Sequence, residues 1–195
     1  MSFLARTLQG LFGIALVVAV VLWFAARRAD RGVIEEEVTI ARPASSVFRW
    51  ISSDDLARRW ISGLEELRRL DGGASPVNAA RFKMAELIGG RRVEMTVRTI
   101  RVIPNQELGL EISSGNLVSD GFTGDADFQL LGGGEYTRLF FTSHTKYASL
   151  EDRICEPVLT YAARRKMQDD LARLKLLVEA EPGGTNNLRA GSISR

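Results

Sequence analysis

Between residues 64 and 147 the sequence repeatedly alternates apolar with polar or charged residues, and this alternation limits the possible folds more than any other feature. Around Met95, for example, Val93 and Val97 share its parity, while polar residues occupy the other parity. Successive side chains of a strand point to opposite faces, so the pattern predicts strands with one covered and one wet face. Turn residues such as the glycines at 132–134 separate the segments, which favours an antiparallel meander.

The predicted strands of this region are 64–70, 80–87, 91–102, 107–113, 121–131 and 136–147. An earlier strand at 33–41 has the same alternation, and two short helices follow it, one starting at Pro43 and one capped by an aspartate. A long helix is predicted at about 155–181, with Pro157 in its first turn. This helix should cover the apolar sheet face with a stripe made of Val158, Tyr161, Met167, Leu171, Leu174 and Val178.

A run without charged residues extends from Thr7 to Ala26 and has arginines on both sides. Residues 8–26 nearly supply the roughly 20 apolar residues that cross a bilayer, which predicts a membrane anchor in the region 1–31. Two alternatives fit less well, since a cleaved signal peptide has a shorter apolar centre and a core helix has a polar face. The slight excess of arginines after the run predicts a single-pass protein with a cytoplasmic soluble domain.

The remaining chain predicts one domain at 33–181 and a disordered tail at 182–195, which is rich in glycine and asparagine. The net charge is only +2 and basic residues are interspersed with acidic ones, so no nucleic-acid surface is indicated. The basic residues at 164–166 fit solvated charges on a helix, or contacts with acidic lipid headgroups if they face a membrane. The lone Cys155 excludes an internal disulfide, and no motif predicts a metal or a cofactor.

The order of strand, two small helices, antiparallel strands and long terminal helix resembles the SRPBCC superfamily of START-like and polyketide-cyclase-like helix-grip proteins. The resemblance covers residues 33–181 and includes the segment 40–48 (IARPASSVF), Trp60 and the segment 169–175 (DDLARLK). It implies an α+β fold in which a curved antiparallel sheet wraps around the long C-terminal helix. In relatives, a cavity between sheet and helix holds hydrophobic ligands such as lipids, sterols, polyketides or quinones.

Bulky apolar residues on the covered face are the candidates for lining such a cavity, because they suit a hydrophobic ligand. The same pattern also describes a plain core, and Trp60 fits packing between the small helices and the sheet. The predicted ligand-binding residues are Phe82, Met84, Met95, Phe128, Phe141, Tyr161 and Met167.

Evidence for catalysis is thin, and no catalytic residue is predicted. The only histidine, His144, has the parity of the wet face, where no enclosed substrate would reach it. Glu86 shares the inward parity of Met84, so its carboxyl group is either desolvated with a raised pKa or hydrated at the rim. Cys155 has no evident histidine partner.

These observations lead to the hypothesis of a membrane-anchored, non-catalytic domain that binds a hydrophobic small molecule or lipid. One alternative is an enzyme of the cyclase or hydratase kind that uses Glu86 or Tyr161 as acid or base. Another is an envelope-associated protein-interaction module, for which an apolar outer sheet face would be needed. The charged outer parity argues against this last alternative.

Overall fold

The computed structural model describes residues 32–71, 78–114 and 121–181, together with residue 16. This part of the chain forms an α+β domain with seven strands and three helices, and the predicted order of elements is confirmed. The elements are β1 (Val33–Ile40), α1 (Ala44–Ser52), α2 (Asp54–Trp60), β2 (Leu64–Arg69), β3 (Arg81–Ile88), β4 (Arg91–Ile103), β5 (Glu107–Ser114), β6 (Phe122–Leu131), β7 (Thr137–Tyr147) and α3 (Leu150–Ala180).

The seven strands form one antiparallel sheet in the order β1-β7-β6-β5-β4-β3-β2. Strands β2 to β7 therefore make the predicted meander, and β1 returns to pair with the last strand. The register shifts between Thr99 and Arg101 of β4 and between Leu64 and Glu66 of β2. Such irregularities bend a strand and increase its twist, which helps the sheet to curve around α3.

The alternation of the strands places their apolar residues on the inner face, as the sequence predicts. Val93, Met95 and Val97 are buried, while ion pairs such as Arg98 with Glu111 occupy the outer face. The outer face is therefore charged over the described strands, which removes the main support for the interaction-module alternative.

Helix α3 packs most extensively against β1 and only lightly against β3. Its C-terminal half supplies Leu171, Leu174 and Val178 to the main core, where they meet α1 and the β1–β7 side of the sheet. A second, smaller apolar cluster around Met95 covers the inner face of β3, β4 and β5. The separation between the two clusters leaves room beneath the middle of the helix.

Three predictions about α3 are wrong. The helix begins at Leu150, not near 155, because Ser149 caps it by accepting a hydrogen bond from the Asp152 amide at 3.0 Å. Pro157 therefore lies inside the helix. The prediction places it in the first turn, where a proline costs no hydrogen bond because the N–H groups there have no partner in the helix. The predicted stripe also fails at its start, since Val158 is exposed while Asp152 and Glu156 face the interior.

The predicted membrane localisation is also wrong. Within the described residues, no helix is both long and apolar enough to cross a bilayer. The longest of them, α3, has 31 residues but carries charged side chains along its length, whereas a span needs about 20 mostly apolar residues. The segment 8–26, on which the prediction rested, lies outside the described residues apart from residue 16, and so does the predicted tail at 182–195.

Candidate functional site

A cavity of about 280 Å³ lies between the inner face of the sheet and the helices α2 and α3. Its wall is mainly apolar and includes side chains from β3, β4, β5, β6 and β7. Of the predicted ligand-binding residues, those in the wall are Phe82, Met84, Met95, Phe128, Phe141 and Met167. Their contact with a ligand stays a prediction.

Tyr161 is the exception among the predicted residues, because its side chain is 66% exposed and lies outside the cavity wall. The wall residues of α3 include Leu159 and Ala163, which are four residues apart and share a face of the helix. Tyr161 stands midway between them, about 200° around the helix axis from each. The same geometry removes Tyr161 as an acid or base acting on a molecule in the cavity.

Packed aromatic rings form part of the cavity wall. The rings of Phe128 and Phe141 lie 5.0 Å apart between centroids, and Trp60 meets Phe128 edge-on at 6.3 Å. Trp60 is buried, and its indole N–H donates to the Trp50 carbonyl at 3.2 Å. Trp60 thus packs between the small helices and the sheet, as predicted, and also contributes to the cavity wall.

The wall contains one buried ionic cluster, formed by Glu86 of β3 with Lys166 and Asp170 of α3, and named here the Lys166 cluster. Lys166 Nζ lies 3.0 Å from Glu86 Oε2 and 2.6 Å from Asp170 Oδ2. The second carboxylate oxygen of Asp170 accepts a hydrogen bond from the Ser62 amide at 2.7 Å. The side chains of Glu86, Lys166 and Asp170 are only 10%, 14% and 1% exposed.

Burial raises the pKa of Glu86, and the nearby Asp170 charge adds to this effect, while Lys166 opposes it. Of the two alternatives for Glu86, the desolvated carboxyl group is therefore correct and the hydrated rim position is wrong. The prediction of solvated charges at 164–166 fails for Lys166. A local signal did exist, because Lys166 and Asp170 are four residues apart on the helix face that also carries Met167.

The raised pKa of Glu86 predicts how the stability of the protein depends on pH. In the unfolded chain the pKa of Glu86 is near its ordinary value of 4.5. In the folded protein the Glu86 carboxyl group keeps its proton to a higher pH. The folded state therefore binds more protons between these two pKa values, and the Glu86 contribution to the free energy of unfolding falls as pH rises through that window. Urea unfolding from about pH 4 to about pH 8 should show this decline for the wild type relative to Glu86→Gln. A difference that stays flat or grows with pH would contradict it.

Tyr147, at the end of β7, is another polar residue of the wall. Burial, together with the Glu156 and Asp152 charges, raises the pKa of Tyr147 to about 12. The hydroxyl is thus protonated at neutral pH and can donate a hydrogen bond. Asp152 is fully buried, and neither of its carboxylate oxygens has a hydrogen-bond partner among the described residues.

The other candidate residues are separate from the cavity. His144 is half exposed on the outer face, with Nδ1 3.0 Å from Asp125 Oδ2, so the prediction of a solvent-facing ring is confirmed. Cys155 is exposed on α3. Within the described ranges, no group of three or more His, Cys, Asp or Glu side chains could hold a metal ion.

The family model described as polyketide cyclase/dehydrase and lipid transport matches residues 31–179. Among solved structures, the Zhui aromatase/cyclase from a Streptomyces species is similar, with a TM-score of 0.61 and 16% identity over 75% of this chain and 93% of that chain. A hypothetical protein from Helicobacter pylori has a TM-score of 0.60 and 10% sequence identity, and the match covers 75% of this chain and 87% of that chain. A protein from Mesorhizobium loti has a TM-score of 0.58 and 14% sequence identity, and the match covers 77% of this chain and 98% of that chain. No protein of curated function matches the sequence.

At these identities the structural matches show the fold alone. They confirm the predicted helix-grip fold, with its curved antiparallel sheet and long C-terminal helix. Function therefore has to be inferred from the residues of this chain, namely the Lys166 cluster and the apolar wall of the cavity.

Proposed function

Because the chain belongs to the polyketide cyclase/dehydrase and lipid transport family, we propose that it binds a hydrophobic small molecule or lipid, without converting it, in the cavity beneath α3. The observation that supports this most directly is the cavity of about 280 Å³ with a mainly apolar wall. Small-molecule sites have volumes of roughly 300–1,000 Å³, so the cavity, at about 280 Å³, is just below this range. A compact ligand with one or two rings, or a single short chain, suits that size better than a two-chain lipid.

The wall has the chemistry that such a ligand needs. Each apolar CH₂ group that leaves water contributes about 0.8 kcal/mol, so even a ten-carbon molecule gains substantial affinity from burial alone. Met84, Met95 and Met167 lie in the wall, and the unbranched methionine side chain adapts to ligands of different shape. An apolar wall of this kind gives affinity without demanding one particular structure.

Filling the cavity should reduce ligand binding. Val93 lies in the wall, and Val93→Phe adds an aromatic ring to the space that the ligand would occupy. We expect this variant to bind the neutral dye Nile red at least about tenfold more weakly than the wild type, as a fluorescence titration would measure. Thr96→Phe is the matched control, because Thr96 lies on the same strand with an exposed side chain.

The control should bind the dye as the wild type does, and thermal melting should show that both variants remain folded. Equal binding by the wild type and folded Val93→Phe would contradict the proposed site. Native mass spectrometry of the purified protein adds an independent test, because a bound apolar molecule of natural origin would appear as an added mass.

A second candidate function is a cyclase- or hydratase-type enzyme that acts on a hydrophobic substrate in the same cavity, with hydration or its reverse, dehydration, as the reaction. The specific observation in its favour is the buried carboxyl group of Glu86, whose raised pKa suits a general acid. The wild type would then accelerate the loss of water from a hydrophobic β-hydroxy ketone, while Glu86→Gln would bind the ketone without accelerating its dehydration. Equal rates with and without the wild-type protein would rule out this chemistry for that substrate.

A further inference from the structure

Building on the proposed function, we propose that the ligand carries a neutral carbonyl group, as in an aromatic ketone, ester or quinone, and that the Lys166 ammonium donates a hydrogen bond to it. The proposal therefore specifies a class of ligand and a residue that recognises it. A pure hydrocarbon and a fatty-acid carboxylate are the two classes that it excludes as preferred ligands.

The first argument is the position of the cluster. Glu86, Lys166 and Asp170 all contribute to the cavity wall, where the neighbouring side chains are apolar. The other charged residues of the wall, Asp54 and Arg91 among them, are half-buried or exposed. A ligand held deep in the cavity would therefore meet its strongest polar contact at the Lys166 cluster.

The second argument is the donor capacity of Lys166. An ammonium group has three N–H bonds, and the described residues provide two acceptors, Glu86 Oε2 at 3.0 Å and Asp170 Oδ2 at 2.6 Å. One N–H bond is left to be satisfied by water or by a ligand. A bound hydrocarbon would displace that water without replacing its hydrogen bond, which costs affinity.

The third argument is charge. The cluster combines one ammonium with two carboxyl groups, so a ligand carboxylate would face Glu86 and Asp170 at close range in a poorly hydrated wall. A carbonyl oxygen accepts the hydrogen bond from Lys166 and adds no net charge. Buried ion clusters contribute little to stability compared with apolar packing, so ligand recognition is a physical reason for this one to line a cavity.

The test compares three naphthalene probes of similar shape, namely 2-acetylnaphthalene, 2-ethylnaphthalene and 2-naphthoate. Their dissociation constants for the wild-type protein would be measured by competition with Nile red. We expect the ketone to bind about tenfold more tightly than the ethyl compound, the effect of one hydrogen bond from a charged donor, and the carboxylate to bind more weakly than the ketone. Glu86→Gln should keep the preference for the ketone and weaken the discrimination against the carboxylate.

The variant Lys166→Met should lose the preference for the ketone, but it can fail to fold. A measurement on the wild type avoids this problem, because the infrared stretching frequency of a ¹³C-labelled carbonyl falls when the oxygen accepts a hydrogen bond from an ammonium. We expect bound 2-acetylnaphthalene to absorb at a lower frequency than in a hydrocarbon solvent. An unchanged frequency would overturn the proposal.

The outcomes separate this proposal from the proposed function. If the ethyl compound binds as tightly as the ketone, the carbonyl proposal fails and hydrophobic binding stands. If none of the three probes and no Nile red binds, the proposed function fails as well, and the carbonyl proposal with it.

Discussion

Replacing Lys166 with methionine should lower the free energy of unfolding at neutral pH by about 3–5 kcal/mol, the usual cost of removing one partner from a buried ion pair. Methionine fills a similar volume, so the loss comes mainly from charge and not from packing. Asp170 would keep its carboxylate at 1% exposure and, among the described residues, would have the Ser62 amide as its one remaining partner. Urea unfolding of the two proteins measures the difference directly.

Arg98→Met is the matched control for this prediction. Arg98 pairs with Glu111 at 2.7 Å on the outer face, but both side chains are about half exposed, so water screens the pair and replaces it when it is lost. The control should lose only a small fraction of what Lys166→Met loses. Equal losses in the two variants would mean that the Lys166 cluster is as well hydrated as a surface pair, and both its role in stability and its role in recognition would be untenable.

The sheet could be predicted from sequence because its signal is local. Alternating residues such as Val93, Met95 and Val97 reveal the covered face, and turn residues reveal where each strand ends. The helix-grip arrangement follows from the order of these elements together with the family resemblance. The sequence does not reveal the start of α3, because Ser149, a favourable cap, precedes several charged residues that resemble a loop.

The contact between Lys166 and Glu86 could not be predicted because the two residues come from distant parts of the sequence. Glu86 lies on β3, eighty positions before Lys166, and a window along the sequence contains no trace of their contact. Within such a window, Lys166 follows Arg164 and Arg165 and resembles its solvated neighbours. Only the packing of α3 over β3 shows which of the three cations is turned towards the cavity.

The distinction between core and cavity is equally out of reach of the sequence. Met95 and Phe128 point to the inner face of the sheet, and the sequence pattern that shows this is the same whether a ligand or a helix covers them. The difference depends on how α3 lies across the sheet. The last turns of α3 present Leu174 and Val178 to α1 and β1, whereas its middle, residues 159–170, lines the cavity.

The asymmetry of α3 leads to the second large effect, which concerns two leucines on the same helix. Leu174 is fully buried in the main core, and Leu174→Ala should lower the free energy of unfolding by about 2–5 kcal/mol through lost burial and the cavity it creates. Leu176 is two positions away and 68% exposed, so Leu176→Ala should change that free energy by less than about 0.5 kcal/mol. Alanine favours helix at both positions, so helix propensity does not account for the difference.

The comparison also tests the arrangement on which the cavity depends. If the C-terminal half of α3 fixes the helix against the sheet, Leu174→Ala should unfold at a lower urea concentration, while the folded fraction still binds Nile red beneath the middle of the helix. Similar stabilities for Leu174→Ala and Leu176→Ala would mean that the C-terminal half of α3 does not pack into the sheet. The helix could not then hold open a cavity over β3 and β4, because the contacts that position it would be missing.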